Sequence, residues 1–274
     1  MTTASTAFED GLADRFRHAV ADTWTITLRA LHHWRNRPGV MIFGWLFPVL
    51  LMALFIGLLG GALGATTGGD YVDFVLPGAF AMAMFFGLDG TMSAVSSDAS
   101  KGVTDRFRSL PMSGVAVVAG RCAADMINSV LGLAVVVLAG LAFGWRPDAA
   151  LPAIAAAFGV LLLLRFAMLW IGVFIGLKAR NQETVTAVQV AIWPLLFLSS
   201  VFVDTATMPR WLGTIAEYNP LSTTTTAVRE LLGNPAAGGS FAVDNAILLA
   251  VAAPVLLVAV FLPLSASGYR HLRR

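Results

Sequence analysis

Four ionisable side chains interrupt the long apolar stretches of this 274-residue chain: Asp89, Arg121, Asp125 and Arg165. Charged groups in such surroundings are costly, so they usually pair with one another or line a polar pathway. The chemistry open to two carboxylates and two guanidinium groups is ion pairing or proton relay. We expect Asp89 and Arg165 to form an ion pair, although Arg165 could instead face a water-filled cavity between two copies of the chain.

Motifs for catalysis or metal binding do not accompany these charges. The sequence contains no GxxxxGK[ST] phosphate-binding loop, no GxSxG and no HExxH. Its four histidines lie near the two ends of the chain, and none is spaced with acidic residues as a metal site would require. The lone Cys122 excludes an internal disulfide. We therefore predict no catalytic residue, no metal and no cofactor in this chain.

A charged segment, Asp98 to Ser113, lies between two apolar stretches, in a chain of which only 12% is charged. If it is helical after Gly102, Val103, Phe107 and Leu110 share one face. Such an amphipathic helix could contact a soluble partner, whereas the alternative is an ordinary solvated basic loop. The candidate coupling residues are Asp98, Lys101, Gly102, Asp105, Arg106, Phe107, Arg108, Leu110 and Pro111.

The elements that must position these residues are membrane helices. Hydrophobic residues make up 57% of the chain, far above the content of soluble domains. Since backbone polar groups in a bilayer must bond within their own segment, the apolar stretches are predicted to be helices. Glycines four residues apart, such as Gly57 and Gly61 or Gly172 and Gly176, predict close helix packing. The six predicted spans are Val40–Gly64, Val72–Ser96, Val115–Trp145, Ala149–Leu177, Thr184–Val203 and Asn245–Tyr269.

The basic residues predict how these spans are oriented. Fourteen of the eighteen basic residues fall before the first span, after the last, or at the loops after the second and fourth. Arg146, Arg210 and Arg229 fall on the other side. The positive-inside rule then places both chain ends in the cytoplasm. We divide the chain into a cytoplasmic part at 1–38, a transmembrane domain at 39–270 and a cytoplasmic tail at 271–274.

Two further segments are predicted to be amphipathic helices. Within residues 14–37, apolar side chains including Val20, Trp24 and Leu28 form one stripe, which is typical of a helix lying in the membrane interface. Residues 204–244 form a long external segment between the fifth and sixth spans. Asn219-Pro220 should break it into two helices that are too short to cross the membrane. The residues singled out in this external hairpin are Pro209, Trp211, Asn219 and Pro220.

Two runs of residues give the chain a family resemblance. The loop run Asp98…Gly102…Asp105-Arg-Phe-Arg-Ser-Leu-Pro-Met112, followed by Gly120-Arg121…Asp125, resembles the cytoplasmic loop of ABC-2 type permeases, in particular the daunorubicin-resistance branch. The run from Phe202 to Leu231 is similar to the external segment of that branch. Gly114 departs from the basic residue that many relatives carry after Pro-Met-Ser, and Arg165 lies outside the two runs that carry the resemblance.

The resemblance implies an all-α integral membrane protein with six transmembrane helices, an N-terminal interface helix and a short external hairpin. It implies an export permease in a bacterial cell membrane that acts on a hydrophobic drug, antibiotic or lipid by alternating access. Two copies of a separate ATPase subunit would bind ATP and magnesium and would supply the energy. The permease would form a homodimer or heterodimer, contact membrane lipid and bind no nucleic acid.

A proton-coupled secondary transporter is the alternative function. It would use Asp89, Asp125 and Arg165 as its relay. Such transporters often contain an inverted repeat with broken helices in matching positions, and the first and fourth spans share no such pattern. A purely structural membrane protein would leave the Asp98–Ser113 segment without a role.

Overall fold

The computed structural model describes residue 17 and residues 20–32, 38–67, 71–100, 114–179, 181–234 and 240–271, and no strand occurs in these ranges. Residues 20–32 form α1. The remaining helices are α2 (Pro38–Thr67), α3 (Tyr71–Ser100), α4 (Gly114–Ala142), α5 (Leu151–Lys178), α6 (Gln182–Phe197), a 3₁₀ turn (Thr205–Thr207), α7 (Arg210–Glu217), α8 (Pro220–Leu231), α9 (Phe241–Asp244) and α10 (Ala246–His271).

Five of the described helices are long and apolar enough to cross a membrane, namely α2, α3, α4, α5 and α10. They correspond to the predicted spans one to four and six, with ends that differ by at most four residues. The all-helical class is therefore confirmed. The count of six is not, because the predicted fifth span contains only the 16-residue helix α6, which is about 24 Å long.

Two features accompany the early end of α6, and the second comes from a distant part of the chain. Pro194 lies in its last turn, where it removes one backbone donor. Beyond Phe197 the chain turns, and the Asn219 side chain donates hydrogen bonds to the carbonyl oxygens of Leu195 and Leu198 at 2.8 and 2.7 Å. These bonds satisfy acceptors that a continuing helix would have used. The result is a short helix tied to the segment that follows it.

The centre of the bundle is the pair α3 and α5. A Cβ atom on Gly172 would lie 2.8 Å from the carbonyl oxygen of Leu88, and one on Gly176 would lie 2.7 Å from that of Met92. Glycine at both positions allows the two backbones to touch, as predicted for small residues at a membrane helix contact. Gly57 and Gly61 instead face open space in this structure. Helices α2, α4, α6 and α8 surround α3, and α10 covers α5.

Helix α1 lies against the start of α4. The Thr27 hydroxyl donates to the carbonyl oxygen of Gly120 at 3.1 Å, and Ile26 and Thr27 are buried. The predicted apolar stripe is on the other side, where Val20 and Trp24 are 51% and 56% exposed. A helix with one face on the bundle and an apolar face left open matches the pattern of an interfacial helix. Its depth in a membrane remains a prediction.

Candidate functional site

A cavity of about 660 Å³ opens between α2, α3, α4 and α6. Its volume is within the range of small-molecule binding sites. Its wall combines aromatic rings, glycines and a small set of charged and polar groups. The lining residues that matter below are Trp45, Phe47, Phe86, Gly87, Asp89, Thr91, Ser93, Arg121, Asp125, Ser129 and Trp193.

Three aromatic rings from three helices form one side of the cavity. The ring centroids of Phe47 and Phe86 are 5.4 Å apart, those of Phe47 and Trp193 are 5.7 Å apart, and those of Phe86 and Trp193 are 5.4 Å apart. The first two pairs meet nearly edge to face, the preferred geometry of aromatic contacts. We call Phe47, Phe86 and Trp193 the aromatic wall. It offers both ring faces and ring edges to a ligand.

Arg121 connects the cavity to the end of α3. Its Nη1 lies 3.2 Å from Oδ2 of Asp98, and its Nε lies 3.5 Å from Oδ1 of Asp125. The second pair is four residues apart on α4, which places both side chains on one helix face. Asp98 is the one candidate coupling residue within the described part of the chain. The rest of that set, Lys101 to Pro111, lies outside the described residues.

Arg165 reaches from α5 into a buried set of hydroxyl groups. Its Nε donates to Ser129 Oγ at 2.6 Å, and its Nη2 donates to Thr91 Oγ1 at 2.9 Å. Thr91 in turn donates to Oδ2 of Asp125 at 2.8 Å. Arg165 is only 2% exposed, and the Thr91 hydroxyl links it to the Asp125 carboxylate, whereas its Nη1 has no hydrogen-bond partner among the described residues. Gly87 makes room for it, since a Cβ there would lie 2.5 Å from the guanidinium carbon.

The predicted ion pair between Asp89 and Arg165 is therefore wrong. Asp89 accepts a hydrogen bond on Oδ1 from Gln189 of α6, and the same Gln189 nitrogen lies 3.1 Å from Ser93 Oγ. The reason is rotational. Thr91 follows Asp89 by two residues, about 200° around the helix axis, so the two side chains leave α3 in different directions and bind groups on different helices. Thr91 faces α4 and α5, whereas Asp89 faces α6.

The segment after α6 carries a second buried guanidinium, Arg229 of α8. Its Nε donates to the carbonyl oxygen of Phe74 at 2.9 Å, and its Nη2 donates to those of Ser200 and Val201 at 2.7 and 3.2 Å. The guanidinium carbon also lies 3.7 Å from the centre of the Phe74 ring, within reach of a cation–π interaction. Burial lowers the pKa of Arg229, and the Asp204 charge opposes that shift. One side chain thus holds α8 to α3.

The break predicted at Asn219-Pro220 is confirmed. The Asn219 side chain accepts a hydrogen bond from the backbone of Leu221 at 3.0 Å and so caps α8, with Pro220 in its first turn. Pro209 precedes α7. Trp211 on α7 is 68% exposed, which agrees with a residue at a membrane or solvent boundary. None of these four residues is among those that line the cavity.

Comparison with known proteins identifies the family to which the chain belongs. The sequence model of the ABC-2 type transporter family matches residues 21–232. The chain belongs to the ABC-2 type transporter family. It is also 36% identical over 254 residues, 92% of this chain and 87% of the relative, to the daunorubicin resistance ABC transporter permease protein DrrB1 of Streptomyces coeruleorubidus. The family and the branch named by the resemblance are both confirmed.

Family membership makes the chain a transport protein of the membrane. Sequence reasoning identified the four intramembrane charges, three of which line the cavity. It missed Thr91 and Ser129 as their partners, Gln189 as the partner of Asp89, and Arg229 as a buried group. Ser129 stands four residues after Asp125 and so on the same helix face, which is a signal that was present in the sequence.

Proposed function

We propose that this chain is the membrane subunit of an ATP-driven exporter that moves hydrophobic drugs, antibiotics or lipids out of a bacterial cell by alternating access. The observation that supports this most strongly is the similarity over nearly the whole chain to a permease named for daunorubicin resistance. Membership of the ABC-2 family implies that a separate ABC ATPase, present in two copies, hydrolyses ATP. It also implies a permease dimer, with an identical or a different second chain.

The residues that line the cavity support the proposal of a hydrophobic substrate. Its aromatic wall presents three large rings within about 6 Å of one another. Small-molecule sites are typically apolar with a few placed polar groups, and Asp89, Ser93 and Asn128 supply such groups here. We assign the cavity to the substrate pathway, because it is large enough for an organic molecule and lies inside the helix bundle.

Coupling to the ATPase is assigned to the segment from Asp98 to Pro111. Asp98 at the end of α3 binds Arg121, and Arg121 faces the cavity. Force applied to this segment would therefore act on a residue that lines the proposed pathway. Both chain ends and this segment are assigned to the cytoplasm by the distribution of basic residues.

Transport in inverted membrane vesicles tests the proposal. A fluorescent anthracycline is added to the medium outside vesicles that contain the chain and its copurifying P-loop ATPase, and its uptake is followed after ATP is added. We expect uptake that continues when a protonophore collapses the proton gradient and that stops when the ATPase carries an inactive Walker lysine. Uptake that is abolished by the protonophore but indifferent to the ATPase variant would favour the proton-coupled alternative and refute the proposal.

A further inference from the structure

We propose that the cavity is a binding site for lipophilic organic cations, with Asp89 as the counter-ion of the positive group and the aromatic wall as the surface for its rings. This inference rests on the proposed function, since it names the substrate class that the transport pathway would take.

The charges around the cavity support this assignment. Arg121 lies between Asp98 and Asp125, and Arg165 is linked to Asp125 through Thr91. Two guanidinium groups and two carboxylates therefore balance one another. Asp89 is outside this set, and within the described part of the chain no basic group lies within 4.0 Å of its carboxylate. The cavity thus carries one negative charge that the network does not neutralise.

Asp89 is held in position without being neutralised. Gln189 donates to its Oδ1, and an amide supplies a hydrogen bond but no charge. The Asp89 side chain lines the cavity and is half-buried. A carboxylate in this partly dry environment interacts with a cation more strongly than one in water does. A ligand carrying an amine or a quaternary nitrogen would supply the missing positive charge.

The aromatic wall favours the same class of ligand. Phe86 of the wall is three residues before Asp89 on α3, which is one turn of the same helix. Trp193 is four residues after Gln189 on α6, so it lies one turn from the group that holds Asp89. Rings next to a carboxylate suit an aromatic cation, because flat rings stack on the wall and ring faces attract positive charge. An anionic ligand against the aromatic wall would instead meet Asp89, because the one basic residue in the described cavity lining, Arg121, is paired with Asp98 and Asp125.

The test uses two probes of the same shape but different charge. N-methylacridinium carries a permanent positive charge, whereas acridine is neutral in mildly alkaline buffer. The fluorescence of each probe measures its binding to the full complex of permease and ATPase in lipid nanodiscs. The variants are Asp89→Asn, Asp148→Asn and Trp193→Leu. Asp148 is exposed in the turn between α4 and α5, so its variant makes the same change of charge away from the cavity.

We expect the unmodified complex to bind N-methylacridinium about tenfold or more tightly than acridine, because the cation gains the Coulombic attraction of the half-buried Asp89 carboxylate. Asp89→Asn should abolish this preference by weakening only the cation, and Asp148→Asn should preserve it. Trp193→Leu should weaken both probes through the loss of ring stacking, and the cation more than acridine, because a ring face that attracts positive charge is also removed. Size-exclusion profiles and ATPase copurification that match the unmodified complex show that each variant is folded.

Two results would overturn the inference. Equal binding of the two probes by the unmodified complex would show that the cavity has no preference for cations. A preference that survives Asp89→Asn would show that another group provides it. Neither result affects the proposed function, which fails only if ATP-driven uptake is absent.

Discussion

Removing the Thr91 hydroxyl is the sharpest test of the buried network. Thr91→Val keeps the shape of the side chain but leaves Arg165 Nη2 and Asp125 Oδ2 without the partners that they have at 2.9 and 2.8 Å. A buried polar group that loses its hydrogen bond costs about 1–3 kcal/mol, and charged groups cost more. Two such losses would destabilise the protein by about 2–6 kcal/mol.

The lower end of that range is the better expectation for a membrane helix bundle. Measured hydrogen bonds between membrane helices average only about 0.6 kcal/mol, because the unfolded chain in the membrane also finds partners. Since the two groups affected here are charged, we expect Thr91→Val to lower the free energy of unfolding by about 2 kcal/mol. Titration with SDS in mixed micelles, followed by tryptophan fluorescence, measures this quantity.

Thr186→Val is the matched control. Thr186 is an exposed helical threonine whose hydroxyl donates to the carbonyl oxygen of Gln182 at 3.1 Å, so its loss should cost no more than about 0.5 kcal/mol. The loss of unfolding free energy caused by Thr91→Val should also be about 1 kcal/mol smaller when Arg165→Leu is already present. Arg165 is one of the two groups that lose a hydrogen-bond partner in Thr91→Val, and in that background it is absent. Equal losses for Thr91→Val and Thr186→Val would refute the network as described.

Three further changes probe other parts of the molecule. Arg229→Lys should destabilise the protein by about 2–4 kcal/mol, since an ammonium group cannot reach the same three carbonyl oxygens and the Phe74 ring. Hydrogen exchange across α7 and α8 should become faster. Unchanged exchange would contradict the expected loss. Gly172→Ala should lower the free energy of unfolding by about 1–3 kcal/mol through overpacking against α3. Gly159 on the same helix faces open space, so Gly159→Ala should be neutral or slightly stabilising. A larger loss for Gly159→Ala than for Gly172→Ala would be incompatible with the α3–α5 contact. Phe107→Ala should uncouple ATP hydrolysis from export while the protein stays inserted and dimeric, because buried aromatic anchors dominate protein–protein interfaces. Phe143→Ala is the control, since Phe143 is an exposed aromatic residue in another loop. Normal transport by both variants would remove the Asp98–Pro111 segment from the mechanism.

Most of the fold could be predicted from the sequence, because apolar runs of twenty or more residues with at most two charges have few alternatives to a membrane helix. The predicted fifth span was the exception. A run of apolar residues from Thr184 to Val203 looks continuous, but the end of α6 depends on Asn219, a residue more than twenty positions later. Long-range capping of this kind leaves no signal within the run itself.

The site was only partly readable. Charge composition located Asp89, Arg121, Asp125 and Arg165, since such residues are rare in apolar spans. Their pairing depended on the rotation of α3 relative to its neighbours, which composition does not specify. Opposite charge alone allowed Arg165 to pair with Asp89, whereas in the structure the direction of each side chain around the α3 axis gives the two residues different partners. Their partners Thr91 and Gln189 are uncharged, so the composition of the spans did not single them out.

The glycine contact between α3 and α5 has a mechanical consequence for transport. Backbone lies against backbone at Gly172 and Gly176, and tightly packed interfaces tend to have a few discrete arrangements and do not slide continuously. The two helices should therefore move as one rigid body. Asp89 and Phe86 travel with that body, whereas Phe47 and Trp193 belong to α2 and α6. A change in the cavity would then consist of α3 moving together with α5, while the other helices that line the cavity, α2, α4 and α6, tilt against them.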